Sequence, residues 1–585
     1  MSDSNIYHIN MNSFPKSHLY PDKRISLSIT KSGTYILDED IIAGSRYTGD
    51  DETVLDFGRQ VGPPPFHFGI WSILSIECDD VILDLNGYKL AMTDNFAMEQ
   101  RFFSLIELAN QPFPTNTAGF TSEIKFANNL IIKNGTLDNS SHHGIHGNFN
   151  TNVLIDNVTV INFEIAGIAI NGGKQIIIQN SKVIGASKKI TVLATFAMIQ
   201  DFKNSLETIL SSNKYEEYHK LATKYLSNSF IQHILDNPGS DDYNITVNNT
   251  QENGDQVLDG NLFGIYFSNN FNVHHLSNSS NEKTTDITID NVKIKDISSD
   301  IKEVIGISVN DKLLSDNKGY LLRWDYLFDD SNKLKLISES NRIDLCKLTI
   351  LKTQLFVTKI LTPEKLLNTT LLDYIDIYDI DKVFSDKQQL LTNVDLNIYG
   401  LGGVDARGHL AKGNFGLRID GASNVNINNV HIHNIQNYGQ LGIKTEKTVY
   451  SRFPIGIDNN SEKVYKGTCV SGMSLSNCDN INVNKLNICK CNSSNGYVIG
   501  IGLLNNTYNC VIKDVSLNKL TAGLDNITYK NEYPNLKPVV YNGYIDPTSY
   551  YNKIHLSDKC EITDADKDNK LTYNCGKCDK VHKLC

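Results

Sequence analysis

Apolar and polar residues alternate over short stretches of this chain, and one stretch recurs along it. Residues 130–137 (LIIKNGTL), 153–160 (VLIDNVTV) and 176–183 (IIIQNSKV) place Asn134, Asn157 and Asn180 at steps of 23 residues. The eight-residue phrase returns at 287–294, 425–432, 481–488 and 510–517. Its period of two is that of a strand with one buried face. Asn, Asp or Lys in the fifth place interrupts the alternation, and such residues predict a turn, since Asn and Asp tolerate left-handed backbone. A second phrase, Gly-apolar-x-apolar, starts at Gly144, Gly167, Gly416 and Gly472, each 13 residues before the fifth place of the first phrase. Two linked strands per turn follow, in a coil of roughly 20–25 residues. Strands this short bury their apolar side only by stacking coil on coil, which is the logic of a solenoid. The turn asparagines then stack as a ladder.

The period breaks twice. From Asn180 to Asn291 there are 111 residues and from Asn291 to Asn429 there are 138. Helical spacing of Leu, Ile, Phe and Tyr over 190–237, with Pro238 and Gly239 beyond, predicts a helical excursion. The stretch 311–405 matches neither phrase and includes the helix-like run from Pro363. Such insertions either carry function or serve as caps and lateral shields. The organisation expected is an N-terminal cap at 1–60, coils at 61–185, a helical insertion at 186–260, coils at 261–310, a mixed insertion at 311–405, coils at 406–540 and a Cys-rich tail at 541–585.

These phrases resemble the right-handed β-helix superfamily typified by pectate lyases, polygalacturonases and phage tailspikes, over roughly 60–185, 261–310 and 411–540. The segment Val81–Leu90 is similar to the opening coil many such proteins share. The fold class implied is all-β: a right-handed parallel β-helix solenoid with two long, partly helical insertions and a Cys-rich C-terminal tail. The Asn/Ile/Lys-rich style and the large insertions also resemble β-helix proteins of giant DNA viruses of amoebae. That likeness implies a virion setting, capsid or virion proteins as partners, and synthesis in the host cytoplasm; the tailspike resemblance implies a homotrimer, for which the sequence shows no heptad or aromatic seam.

Aligning the Gly phrases gives outward columns. The third place holds His146, Ala169, Tyr266, Ser308, Arg418 and Ser474; the fifth holds Asn148, Asn171, Ser268, Asn310, Asp420 and Ser476. A strip of small polar side chains with an occasional ring suits sugar hydroxyls, and it is equally what a solvated sheet face looks like. His146, Asn148, Asn171 and Tyr266 are the candidate ligand-binding residues. Glycosidic hydrolysis normally uses two carboxyl groups some 5–10 Å apart, and the strip supplies Asp420 alone. Lyases like those of the resembled superfamily hold Ca²⁺ with clustered carboxylates and use Arg or Lys as base. Asp405, Arg407, Arg418 and Asp420, with His409, form the local set that mixes these types, and an ordinary turn ion pair is the alternative. His142, His143 and His146 form the densest histidine group, read as a loop without a nearby carboxylate. Gly144-Ile-His-Gly is superficially like the Gly-His-Gly of polygalacturonases, without that family's paired Asp. Tyr544-Ile-Asp-Pro is similar to part of an alginate epimerase phrase, but lacks its His.

With 585 residues, 40% hydrophobic and 21% charged, the chain has material for a core. Its net charge of −11 argues against binding nucleic acid through phosphate contacts. No run reaches the length of a membrane span, and the first residues lack the basic start and apolar core of a secretory signal. Of eleven cysteines, Cys478, Cys489, Cys491 and Cys510 fall in or beside coil strands and read as buried. Cys560, Cys575, Cys578 and Cys585 have the types and spacing for a tetrahedral Zn²⁺ site, with disulfides or free thiols as alternatives. Two functions remain: a viral structural or glycan-binding, adhesin-like module without catalysis, or a polysaccharide lyase, glycoside hydrolase or epimerase.

Overall fold

The computed structural model describes residues 5–16, 23–44, 52–57, 72–93, 96–97, 104–112, 123–163, 165–185, 261–268, 284–299, 413–437, 443–445, 464–466, 468–494, 496–523, 538–556, 562–564 and 570–573. Among them, one 17-stranded and one 11-stranded sheet run the length of the molecule, and every pairing in both is parallel. The recurring phrases lie side by side: Leu130 pairs with Val153, Val153 with Ile176, Ile176 with Ile287, Ile287 with Val425 and Val425 with Ile481. Each turn of chain therefore contributes one rung to each sheet. The protein is a parallel β-helix. The apolar positions Ile155, Ile178, Ile289, Ile427 and Val483 face inward and are almost wholly buried in one continuous core.

Stacking extends beyond the boundaries expected at 60 and 540. Ile6–Ile9 pairs with Gly33–Leu37, which pairs with Val81–Asp84, so the chain joins the coil stack well before residue 60. At the other end Val539–Ile545, Ile562–Asp564, Lys553–Leu556 and Lys570–Tyr573 add further rungs. The first phrases there carry few Gly or Asn markers, which hides them from a pattern search. Both insertions, 186–260 and 311–405, lie outside the described residues, as does their helical character. The coil closes across them without loss of register: Lys182–Ile184 pairs with Lys293–Ser299, and Asn261–Ser268 pairs directly with Gly413–Asp420. The column expected to run Tyr266, Ser308, Arg418 therefore runs Tyr266, Arg418. Ser308 and Asn310 are outside the described residues.

The turn residues adopt left-handed backbone, at shorter intervals than the phrase suggests. Asn152, Asn157 and Asn162 have φ of 58, 54 and 53°, and Asn424, Asn429 and Asn434 have φ of 57, 51 and 60°. A positive-φ corner every fifth residue divides each long strand into short flat facets. Asn is the side chain that takes this conformation most cheaply. Its amide also bonds to the coil below: Asn157 Nδ2 donates to Asn134 Oδ1 at 3.1 Å, Asn291 to Asn180 at 2.8 Å and Asn429 to Asn291 at 3.1 Å.

Glycine is required where the two sheets come closest. A Cβ on Gly144, Gly167, Gly264, Gly416 or Gly472 would fall within 3.0 Å of a Val or Ile methyl on the opposite sheet and of the carbonyl of the next glycine in the column. Gly416→Ala must push Ile432 or the Gly472 backbone aside, a cost of about 1–3 kcal/mol. We expect a lower unfolding midpoint in denaturant with unchanged far-ultraviolet circular dichroism at low denaturant.

Cys478, Cys491 and Cys510 are buried as the sequence implies, whereas Cys489 is half-buried. Burial pushes the thiols of Cys478 and Cys491 from an ordinary 9.0 up to about 12. The fold favours their protonated form, so their contribution to stability is complete below about pH 9 and is lost as pH rises toward 12. Each such thiol costs roughly 1.4 kcal/mol per pH unit over that window. Unfolding free energy measured from pH 8 to 11 should fall, and Cys491→Ala should reduce the slope.

Candidate functional site

The outer face of the 11-stranded sheet is built from a four-residue unit of the form outward, Gly, apolar, outward. The first and fourth residues project from the outer side of the sheet, where most of them are buried, while the apolar third enters the core. In register along the solenoid these pairs are Ser104/Glu107, His143/His146, Ala166/Ala169, Phe263/Tyr266, Phe415/Arg418 and Ser471/Ser474. Each pair touches. Ser104 Oγ donates to Glu107 Oε2 at 3.0 Å. The His143 and His146 rings stack with centroids 4.8 Å apart, and Phe263 and Tyr266 stack at 4.2 Å. The Arg418 guanidinium lies 4.8 Å from the Phe415 ring centroid. The sequence pattern put the fourth residues and those two places beyond them on the outer face, and omitted the first, so the strip looked small and polar. The residues preceding each Gly add an apolar patch of Ala166, Ala169, Phe263, Phe415 and Cys469, with Tyr266 and Tyr497 packed against it.

Near the middle of this sheet Arg418 and Asp420 come together with Tyr266. Asp420 Oδ2 accepts from Arg418 Nε at 2.9 Å and from the Tyr266 hydroxyl at 3.3 Å. Asp420 Oδ1 is buried and makes no hydrogen bond. Burial, then the Asp420 charge, raises the Tyr266 pKa and keeps its phenol a proton donor. Burial alone would lower the Arg418 pKa, but Asp420 and Tyr266 outweigh it and the net shift is upward. A guanidinium stacked on Phe415 and held through Nε is fixed in plane, and its two terminal nitrogens make no bond to the described residues. That is the arrangement for forked recognition of sugar hydroxyl or carboxylate oxygens.

Three rungs away, His146 is on a strand rather than in a loop, and it does have a carboxylate beside it. Glu107, contributed by the preceding coil, is 1% exposed and lies with both carboxylate oxygens 2.9 Å from His146 Nδ1. The pair forms because His146 and Glu107 are register partners. Glu107 was not singled out because Ser104-Leu-Ile-Glu lacks the Gly that marks the other units. The signal available was its apolar third residue, Ile106, in phase with Ile145.

The expected amide ligands serve a different purpose. Asn148 is wholly buried, its Nδ2 donates to the Pro112 carbonyl at 3.1 Å, and its Oδ1 accepts from Asn171 Nδ2 at 2.9 Å. These amides are spent on joining coils. Asp405, Arg407 and His409 lie outside the described residues, as do Cys560, Cys575, Cys578 and Cys585. Among the described residues no group of three His, Cys, Asp or Glu side chains is placed to hold a metal ion, and Asp420, a single carboxylate already bonded to Arg418, does not make a Ca²⁺ cradle. Tyr544 belongs to a coil strand, next to Gly502, and Asp546 closes the following turn by accepting from Thr548 N at 2.7 Å. No described helix is long and apolar enough to cross a membrane.

No protein-family model and no curated protein matches the sequence. Solved structures similar to it include the enzymatically active domain of tailspike protein 2 from bacteriophage CBA120, at 9% identity over 98% of this chain and 47% of that one, with a TM-score of 0.33. A mannuronan C-5 epimerase A-module from Azotobacter vinelandii aligns at 8% identity over 98% of this chain and 90% of its own, with a TM-score of 0.29. The adhesin PfbA of Streptococcus pneumoniae aligns at 10% identity over 94% and 89%, with a TM-score of 0.24. The chain thus spans about half the length of the tailspike domain. The solenoid assignment stands on the strand register described above.

Removing the Asp420 carboxylate leaves a half-buried guanidinium and a phenol without their shared acceptor. Asp420→Ala should cost about 2–3 kcal/mol of stability by denaturant unfolding, and Asp420→Asn, which keeps the shape and a hydrogen-bonding oxygen, should cost less.

Proposed function

We propose that the outer face of the 11-stranded sheet is a glycan-binding surface and that the protein works as an adhesin-like module. The observation that supports this reading most is the Phe263/Tyr266 and Phe415/Arg418 pair of rungs, where stacked rings adjoin a guanidinium held by Asp420 with its terminal nitrogens open. Sugars present apolar ring faces and a rim of hydroxyl or carboxylate oxygens; the partly exposed Tyr266 ring addresses the first and Arg418 the second, with Phe263 and Phe415 buried beside them. Cleavage of a glycosidic bond by Glu107 and Asp420 as a carboxyl pair fits the face poorly. Glu107 and Asp420 are four rungs apart, roughly 19 Å at about 4.8 Å per rung, against the 5–10 Å such chemistry uses. Glu107 is also committed to His146 and Ser104.

A glycan array probed with the purified full chain should return ligands. For one of them, Tyr266→Ala and Arg418→Gln should each weaken binding about tenfold or more. Retention of no glycan on a broad array, or wild-type affinity in both variants, would reject this face as the binding surface.

A further inference from the structure

We propose that Glu107 and His146 form a proton-transfer dyad that hydrolyses an ester carried by the bound glycan. The geometry is specific. Both Glu107 oxygens are 2.9 Å from His146 Nδ1, Ser104 Oγ holds Oε2 at 3.0 Å, and the His143 ring lies nearly parallel to that of His146, at 11°. A carboxylate on Nδ1 fixes the tautomer with its proton there and leaves Nε2 as the acceptor. Nε2 makes no hydrogen bond, and the His146 side chain is 9% exposed.

The reaction class follows from what stands near this nitrogen. Among the described residues Glu107 is the carboxylate bonded to His146, and hydrolysis by a carboxyl pair gives an imidazole no role. Elimination next to a uronate carboxylate needs a cation on the same sugar, and Arg418 is three rungs away, roughly 14 Å. Ester hydrolysis needs one base used twice. His146 Nε2 takes a proton from a water molecule as the water oxygen bonds to the acyl carbon. The carbon–oxygen bond to the sugar then breaks, and Nε2–H returns the proton to the departing sugar oxygen. Water and ester are consumed, carboxylic acid and sugar hydroxyl are formed, and the dyad is unchanged. Glu107 offsets the imidazolium charge between the two transfers.

The proposal relies on the glycan reading only for the identity of the acyl carrier, so its chemistry is tested apart from binding. Acetate release by the full chain is measured with p-nitrophenyl acetate and with an O-acetylated polysaccharide, beside the His146→Asn, Glu107→Gln and His431→Asn variants. His431, exposed on the other sheet, controls for surface imidazole. We expect turnover of p-nitrophenyl acetate above the buffer rate with a solvent deuterium isotope effect above unity. His146→Asn should lower it about 100-fold or more, in the range of general-base contributions, Glu107→Gln should lower it substantially, and His431→Asn should leave it unchanged. Should the buried variants misfold, diethyl pyrocarbonate treatment of the wild type provides the same comparison: activity must fall in step with acylation of His146 located by mass spectrometry. Hydrolysis of both esters at the buffer rate, or activity that survives loss or acylation of His146, overturns the dyad. Activity on the small ester without binding to any polysaccharide supports the dyad and counts against the glycan-binding reading alone.

Discussion

A backbone amide removed from water must find a partner, and in this protein the partner is the same position one coil up or down. That single ladder sets the rise between coils at about 4.8 Å and forces equivalent residues into columns. The other regularities are adaptations to it. Chain entering a new facet has to bend without losing the ladder, so Asn or Asp takes a left-handed corner every fifth residue, as at Asn424, Asn429 and Asn434. Facing sheets have to approach without a gap, so a column of glycines faces Val160, Val183, Ile432 and Ile488.

The columns also explain what the chain discloses as a sequence. The phrases at 130–137, 153–160 and 176–183 were legible because the inward alternation and the corner asparagine repeat at a fixed spacing, and these fix the coil. The outer face was legible only in part. Arg418, Asp420 and Tyr266 stood in the right columns, but Tyr266 and Asp420 meet across 154 residues, and the second insertion between them hid that they are neighbours. Glu107 meets His146 across 39 residues from a unit without its glycine. Asn148 and Asn171 show the opposite error: their column was right, but an amide directly beneath another amide bonds to it before it bonds to a ligand.

Two parts of the outer face, three rungs apart, are chemically different and electrically separate. Arg418 and Asp420 form a nearly neutral, ring-backed fork, while His146 and Glu107 form a donor–acceptor pair. Ala166 and Ala169 occupy the rung between the imidazoles and the Phe263/Tyr266 pair. At roughly 14 Å, His146 and Arg418 are farther apart than the screening length of about 8–10 Å at physiological salt. A charge gained or lost at one site leaves the other largely unaffected, which suits a surface where one part grips and another does something else.

The way the chain leaves after Gly185 and re-enters at Asn261 has a consequence for what this architecture can tolerate. The departure and return points are one rung apart whatever separates them in sequence, because Ala166–Asn171 pairs with Asn261–Ser268 as closely as with His143–Asn148. The entropy of closing such a detour grows only with the logarithm of its length, about 0.6 kcal/mol for each doubling. A solenoid of this kind is thus a rail with standard couplings. Cargo of almost any length can be spliced in at a coil junction, and the rungs on either side continue in phase.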